Sequence, residues 1–326
     1  MRLIPGQRSA ERARRPAQRN RQQVIALDAG APRLRLVNRT AARAEAVPDA
    51  YWAARSRQLA GLTRARQFCQ DDAHCFVTPE QIGDEVERLL RLVQEVYQDF
   101  RLDFSVELST RPETFLGETE TWDQAEDQLK QALDAAGQAY TVATGEGNFY
   151  GPKIDFHVVD AIGRTWQCAT IQLDYQMPQR FGLKYIGADN AERTPVLIHR
   201  AIFGSFERFI AVLIEHFAGR LPVWLAPVQA VVATIVSDAD EYAKQAVAKL
   251  EAAGIRVESD LRNEKINYKV REHSLAKVPH LLVVGNREAE EGTVAVRTLG
   301  EKDQRVMSLD EAIAMLRSAA TPPDLR

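Results

Sequence analysis

The run His199-Arg200-Ala201-Ile202-Phe203-Gly204-Ser205-Phe206-Glu207-Arg208-Phe209 puts a histidine, a glycine–serine pair and an arginine in one short stretch. A helix that starts behind small residues offers unpaired N–H groups to an anion. An arginine one turn inside that helix can fork onto two phosphate oxygens. The residue set suits a nucleotide triphosphate. By spacing alone, an ordinary strand-to-helix corner with a surface arginine is the better-supported reading.

A second constellation is Gln70-Asp71-Asp72-Ala73-His74. Two adjacent acids and a histidine make either a metal or substrate site or a solvated strand end. His74 and His199 together could give two imidazole ligands to Zn²⁺, but even an open zinc centre usually takes about three protein ligands. Other polar candidates have equally plain alternatives. Tyr150 sits in a glycine-rich turn and could be a packing aromatic, and Lys153 alone carries little weight. Arg64 and Arg66 flank Ala65, share a strand face and could simply be solvated. Gln167 and Gln172 point to opposite faces of a regular strand, so both reach one pocket only if the strand bends or bulges.

These residues need elements to hold them. Val196-Leu197-Ile198 reads as a short buried strand delivering His199. After it, Phe206, Phe209, Ile210, Leu213, Ile214 and Phe217 form one apolar stripe at helical spacing. Upstream, 59–76 reads as paired strands, and Thr78-Pro79-Glu80-Gln81 is a capping-box helix start. The helix it opens carries Ile82, Val86, Leu89, Leu90, Val93 and Val96 and ends near Phe100. A half-buried strand at 102–108 follows, then a helix at 121–136 capped by Gly137. Strands at 140–143, 153–159 and 164–175 have short connections and are expected to pair antiparallel.

Leu221-Pro222-Val223-Trp224-Leu225-Ala226-Pro227 reads as a linker. Beyond it, strands at 228–236, 255–259, 280–284 and 293–297 alternate with helices at 240–253, 265–276 and 309–317. That alternation predicts a small α/β domain with a largely parallel sheet. The domains are therefore set at 59–221 and 228–326.

Composition bounds the rest. The chain of 326 residues is long enough for two cores, and no apolar run reaches membrane-spanning length. A net charge of −3 gives no overall pull toward nucleic acid, so an RNA partner requires a local basic surface. Three scattered cysteines argue against a disulfide framework and for a reducing cytoplasm. Residues 1–58 are rich in arginine and alanine, with no lysine and no cysteine. A basic RNA-binding arm is one reading of them; a disordered extension, or sequence standing in place of an upstream region, is favoured.

Several stretches resemble one family. The run from His199 to Phe209 closely resembles motif 3 of class II aminoacyl-tRNA synthetases in its threonyl form. Arg64-Ala65-Arg66-Gln67-Phe68-Cys69-Gln70-Asp71-Asp72-Ala73-His74 is similar to the second half of motif 2. Gly145-Glu146-Gly147-Asn148-Phe149-Tyr150-Gly151-Pro152-Lys153, Trp166-Gln167-Cys168-Ala169-Thr170-Ile171-Gln172-Leu173-Asp174, Asp260-Leu261-Arg262-Asn263-Glu264-Lys265 and Val294-Ala295-Val296-Arg297-Thr298 also match. The matches run in order from Leu59 to Arg317.

The resemblance implies an α+β catalytic domain, an antiparallel sheet with flanking helices, followed by a small α/β anticodon-binding domain with a largely parallel mixed sheet. It implies ATP-dependent activation of threonine and transfer to tRNA-Thr, with ATP, Mg²⁺ and Zn²⁺. His74 and His199 correspond to two of three zinc ligands. Asp72 would accept a hydrogen bond from the threonine hydroxyl, and Tyr150 and Gln172 would contact the same substrate. Arg64 and Arg208 would face ATP phosphates, with Lys153 and Gln167 nearby. Asn263, Glu288 and Arg297 would face anticodon bases, while Arg262, Lys265, Lys269 and Arg271 would supply charge to the RNA backbone.

The family pattern is not fully met. Motif 1, the opening of motif 2 and the zinc-binding cysteine are not found in residues 1–58, and no editing domain precedes them. An N-terminally truncated or impaired ligase is therefore expected, with the family's homodimer in doubt. The alternative from another class is a non-catalytic tRNA-binding relative.

Overall fold

A computed structural model describes residues 61–325 apart from Arg66. The expectations placed on residues 1–58 and on Arg66 lie outside the described residues. In chain order the first half runs β1 (Ala73–Val77), α1 (Ile82–Asp99), β2 (Phe104–Ser109), α2 (Thr119–Ala135), β3 (Thr141–Ala143), β4 (Lys153–Val159) and β5 (Thr165–Asp174). It continues with α3 (Gln176–Arg180), a side hairpin of β6 (Tyr185–Ile186) and β7 (Glu192–Arg193), β8 (Val196–Ala201) and α4 (Phe206–His216).

One six-stranded sheet has the order β1-β8-β5-β4-β2-β3. Alternation along the strands sends Val106, Leu108, Ile154, Phe156, Ile171 and Ile198 to one face, where they pack with buried residues of α1, α2 and α4. Helix α1 starts as read: Gln81 Oε1 accepts from the Thr78 N–H at 3.0 Å. It ends at Phe100, and Gly137 closes the α2 turn at φ 63°.

Three expectations fail here, each for a physical reason. Strand β3 lies parallel to β2, because α2 carries the chain back across the sheet before β3 begins. Among the described residues of 61–77, only Ala73–Val77 is a strand. The preceding backbone is held by an isolated bridge of Gln70 to Ser205, by the Phe206 N–H on Cys69 O at 2.9 Å and by Glu207, which accepts the Cys69 N–H at 3.0 Å. Helix α4 buries Phe209, Val212 and Leu213, while Phe206, Ile210 and Ile214 stay exposed. Its orientation is set by Phe209, whose ring lies 5.2 Å from Phe100. The sequence reading also passed over α3, the β6–β7 hairpin and two elements of the second half.

That half runs β9 (Ala230–Thr234), α5 (Asp240–Ala252), β10 (Val257–Asp260), α6 (Ile266–Leu275), β11 (His280–Val284), α7 (Asn286–Glu291), β12 (Thr293–Thr298), β13 (Gln304–Ser308) and α8 (Leu309–Ala320). The order is β10-β9-β11-β12-β13, parallel in the first three strands and antiparallel beyond. Helices α5 and α8 cover one face and α6 the other.

Lys269 corrects an expectation. It is 1% exposed, and its Nζ donates to Thr234 O and Asp260 O, each at 2.9 Å. It is structural and offers no charge to an RNA backbone. The buried Asp260 carboxylate also accepts from Arg262 and His273. The Arg262 hydrogen bonds above all, and then His273, hold its carboxyl far below the usual carboxylate range despite burial. That stabilisation is complete above about pH 5, begins to fade near the ordinary carboxylate value of about 4 and goes on being lost as pH falls toward the lowered native value. Acid titration of chemical stability should therefore show a loss below pH ~5 that Asp260→Asn flattens. Lys269→Met should cost about 1–3 kcal/mol in denaturant unfolding, because it leaves the buried Thr234 and Asp260 carbonyls without a donor.

Candidate active site

Strand register lines up one row of side chains. His74 stands opposite His199, His199 opposite Gln172, Gln172 opposite Lys153, and Lys153 opposite Ser109. Residues in such a row share a face, so all five project from the side of the sheet away from the helix-covered core. The next row holds Ala201, Thr170, Asp155 and Glu107.

Gln167 joins this face through a bulge. Asp155 pairs with Thr170 and His157 with Gln167, so Cys168 and Ala169 together face the single residue between Asp155 and His157. The extra residue reverses the alternation, which meets the condition set by the five-residue spacing. Two backbone groups at the bulge are taken up by side chains. Tyr97 Oη accepts the Ala169 N–H at 3.0 Å and donates to Ile202 O at 2.9 Å. Arg208 Nη1 donates to Gln167 O at 3.1 Å. Gly204, at φ 69°, lies so close to the bulge that a Cβ there would sit 2.5 Å from Cys168 O.

Two carboxylates tie the motif-bearing segments together. Asp71 accepts from the Ile202 and Phe203 N–H groups at 2.7 and 3.0 Å, which fixes the turn between β8 and α4. Glu207, in the first turn of α4, accepts the Cys69 N–H and the Ser205 hydroxyl. Ser205 in turn caps α4 by accepting the Arg208 N–H. Arg208 itself donates Nε–H to Thr63 O and lies 5.4 Å over the Trp166 ring.

These groups surround a cavity of about 640 Å³. Asp72, Tyr150, Gln172 and His199 line it, as do Arg64, Lys153, Gln167 and Arg208. Tyr150 Oη donates to Gln172 Oε1 at 2.8 Å, and its ring lies 5.5 Å from His199. The approach needs Gly151, where a Cβ would meet Leu173 O at 2.0 Å. His199 donates Nε2–H to the fully buried Asp174 at 2.9 Å. His74 stands edge-on to His199, with ring centroids 4.6 Å apart. Burial, aided by His199, holds the His74 imidazole below its ordinary value against the pull of Asp72. Burial also pushes the Tyr150 hydroxyl up.

Two adjacent imidazoles are the kind of ligand that could fill two corners of a tetrahedral zinc site. Among the described residues, however, no group of three His, Cys, Asp or Glu could hold a metal ion. Cys168 is buried, which pushes its thiol up to about 11, and it forms no such group with the two histidines. The described residues alone do not make a zinc centre.

In the second half, Asn263 lies exposed in the loop after β10, beyond the C-terminal ends of the parallel strands. Glu288 follows the same end of β11, but its carboxylate accepts the Gly285 N–H at 2.9 Å and caps α7. Arg297 lies elsewhere, opposite Leu281 near the start of β11, and donates to Gln304 Oε1. The structure does not bring these three together. Of the backbone-charge candidates, Lys265 and Arg271 are exposed, whereas Arg262 is paired with Asp260 and Glu272.

Sequence reasoning missed three carboxylates behind the site, Asp155, Asp174 and Glu207, and gave Asp71 only as one of two adjacent acids of a possible metal or substrate site. Asp71 stood beside Asp72 in a quoted motif, and strand alternation would have put Asp155 on the Lys153 face. Nothing local marked Asp174 as the partner of His199.

Comparison with known proteins agrees with this geometry. Residues 49–217 match the tRNA synthetase class II core domain (G, H, P, S and T), and residues 229–319 match an anticodon binding domain. A threonine–tRNA ligase of Erythrobacter litoralis is 66% identical over 273 residues, and one of Sphingopyxis alaskensis 61%. Each match covers 82% of this chain and 41% of the relative, so the chain spans about two fifths of their length. A crystal structure described as the RNA binding domain of threonyl-tRNA synthetase from Cryptosporidium parvum superposes with TM-score 0.80 at 43% identity. That superposition covers 83% of this chain and 68% of the solved one. A putative threonyl-tRNA synthetase from Aeropyrum pernix gives 0.62 at 29%, covering 82% and 68%. With its strand-borne histidines, bulged β5 and glycine turn before α4, the chain belongs to the threonyl-tRNA synthetase family of class II synthetases.

Proposed function

We propose that this chain activates threonine with ATP and passes it to tRNA-Thr, in a reducing cytoplasm that suits its free thiols. The observation that carries this reading is the convergence of Asp72, Tyr150 and Gln172 with Arg64, Lys153, Gln167 and Arg208 around one cavity. Asp72 makes no hydrogen bond to another described residue, so its carboxylate is free to accept one from a substrate hydroxyl. Valine lacks that hydroxyl and would leave the acceptor unpaired, which is how such a site rejects it. Tyr150 and Gln172, already bonded to each other, present a fixed polar wall beside it. Arg208 is held by two backbone carbonyls, so its guanidinium is pre-oriented toward phosphate oxygens.

In the activation step a threonine carboxylate oxygen attacks the α-phosphorus of ATP and pyrophosphate leaves. The residues named here position the reactants and offset phosphate charge. Mg²⁺ carried in with ATP would neutralise further charge. No step is routed through zinc, because only two ligands stand among the described residues. A homodimer remains a family expectation to be tested by sedimentation. For the second half we propose contact with anticodon bases by Asn263 and Arg297, with Glu288 reaching a base only by giving up its cap.

Threonine-dependent exchange of pyrophosphate into ATP is the direct test. A rate about 10²–10³-fold below that of a relative with a complete ligand set is expected, since losing one preorganised contact costs about that much. No threonine-dependent signal, against a valine control, would overturn the activation reading. Zinc after dialysis should fall well below one per chain, and a stoichiometric, chelator-resistant metal would show that the His pair has a further partner. Arg297→Ala should reduce discrimination between a cognate and a scrambled anticodon stem-loop. Equal binding of both loops before and after the change would end its assignment to the anticodon.

A further inference from the structure

Asp155 is 2% exposed and lies on β4 below the cavity floor. Four donors converge on its carboxylate. Oδ2 accepts from Ser109 Oγ at 3.0 Å and from Lys153 Nζ at 2.5 Å. Oδ1 accepts from Gln167 Nε2 at 2.5 Å and from Thr170 Oγ1 at 3.1 Å. Lys153, Gln167 and Thr170 all line the cavity. A buried carboxylate is tolerated only when its lone pairs are taken up and a cation is near, and here both conditions are met by the cavity wall itself.

The β5 bulge explains the convergence. Gln167 and Thr170 would lie on opposite faces of a regular strand; the bulge turns both toward Oδ1, and they also bond each other at 2.9 Å. We propose that Asp155 is a positioning residue for the nucleotide side of the cavity: it fixes Lys153, Gln167 and Thr170 as one rigid unit without touching the ligand. The proposal rests on the reading of this cavity as an ATP site. The threonine side is held separately, by the Tyr150–Gln172 bond and by Asp174 on His199. Loss of Asp155 should therefore act on one ligand only.

Two readouts on the whole chain separate this role from a merely structural one. The first uses no ligand: competitive amine labelling of Lys153, followed by mass spectrometry. Asp155→Asn should raise Lys153 labelling several-fold, with other lysines unchanged and Asp155→Glu largely restoring protection. Unchanged Lys153 labelling overturns the proposal, as does a uniform rise over all lysines, which would report unfolding. The second titrates ATP and threonine separately by calorimetry. Asp155→Asn should weaken ATP binding about tenfold or more, the size expected for charged hydrogen bonds, and leave threonine binding unchanged. Parallel weakening of both ligands overturns the proposal in favour of general damage. If the unmodified chain binds no ATP, the nucleotide reading fails, and the labelling arm still decides whether Asp155 holds Lys153.

Discussion

The site depends on one irregularity, the bulge at Cys168 and Ala169 in β5. A strand with strict alternation would hide Gln167 on the core face or else turn Gln172 away from His199. The extra residue allows both, at the cost of backbone groups that no neighbouring strand can pair. The fold offsets that cost from two directions: Tyr97 reaches up from α1 to take the Ala169 amide, and Arg208 takes the Gln167 carbonyl from the α4 side. Asp155 gathers the side chains that the bulge turns to the open face. Each of these groups also belongs to another part of the structure. The bulge is therefore a junction, locked by the helix layer, the sheet and the α4 turn at once.

Register does the rest. Because side chains alternate with period two, a one-residue slip of β8 against β5 would turn His199 into the core and bring Ile198 or Arg200 to the cavity. The buried set Val196, Ile198, Ile171 and Leu173 opposes that slip through its own need for burial. Core and site thus specify each other on opposite faces of the same strands. The second sheet solves its central problem in another way, with a buried lysine and aspartate among named hydrogen bonds in place of a purely apolar seam.

Much of this was legible in the residues. The capping box at Thr78, the strand at His280–Val284 and the α/β alternation beyond Pro227 follow from local chemistry, and local chemistry is what a sequence displays. The condition on Gln167 and Gln172 was legible too, since a five-residue spacing either fails or demands a bulge. Tertiary choices were not. The six apolar residues of and just beyond α4 fit a single broad stripe, and the rings of Phe203, Phe100 and Tyr97 around Phe209 show which side of it points inward. Lys269 looks like any basic helical residue until Asp260 is placed beneath it. Short connections suggested antiparallel pairing for β3, but the α2 crossover overrules them.

The clamp between Asp71 and the Ile202 amide joins residues 131 positions apart in the chain. Closing so long a loop costs conformational entropy before any contact rewards it. The hairpin of β4 with β5, by contrast, needs only a short turn at Gly163. In kinetic terms the cavity cannot nucleate folding. Its residues come together only once β8 lies beside β5 and β1 beside β8, pairings of high sequence separation that slow folding as a class. Among the described residues β1 pairs with β8 alone, so loss of that one pairing would separate the two histidines and leave the rest of the sheet in place.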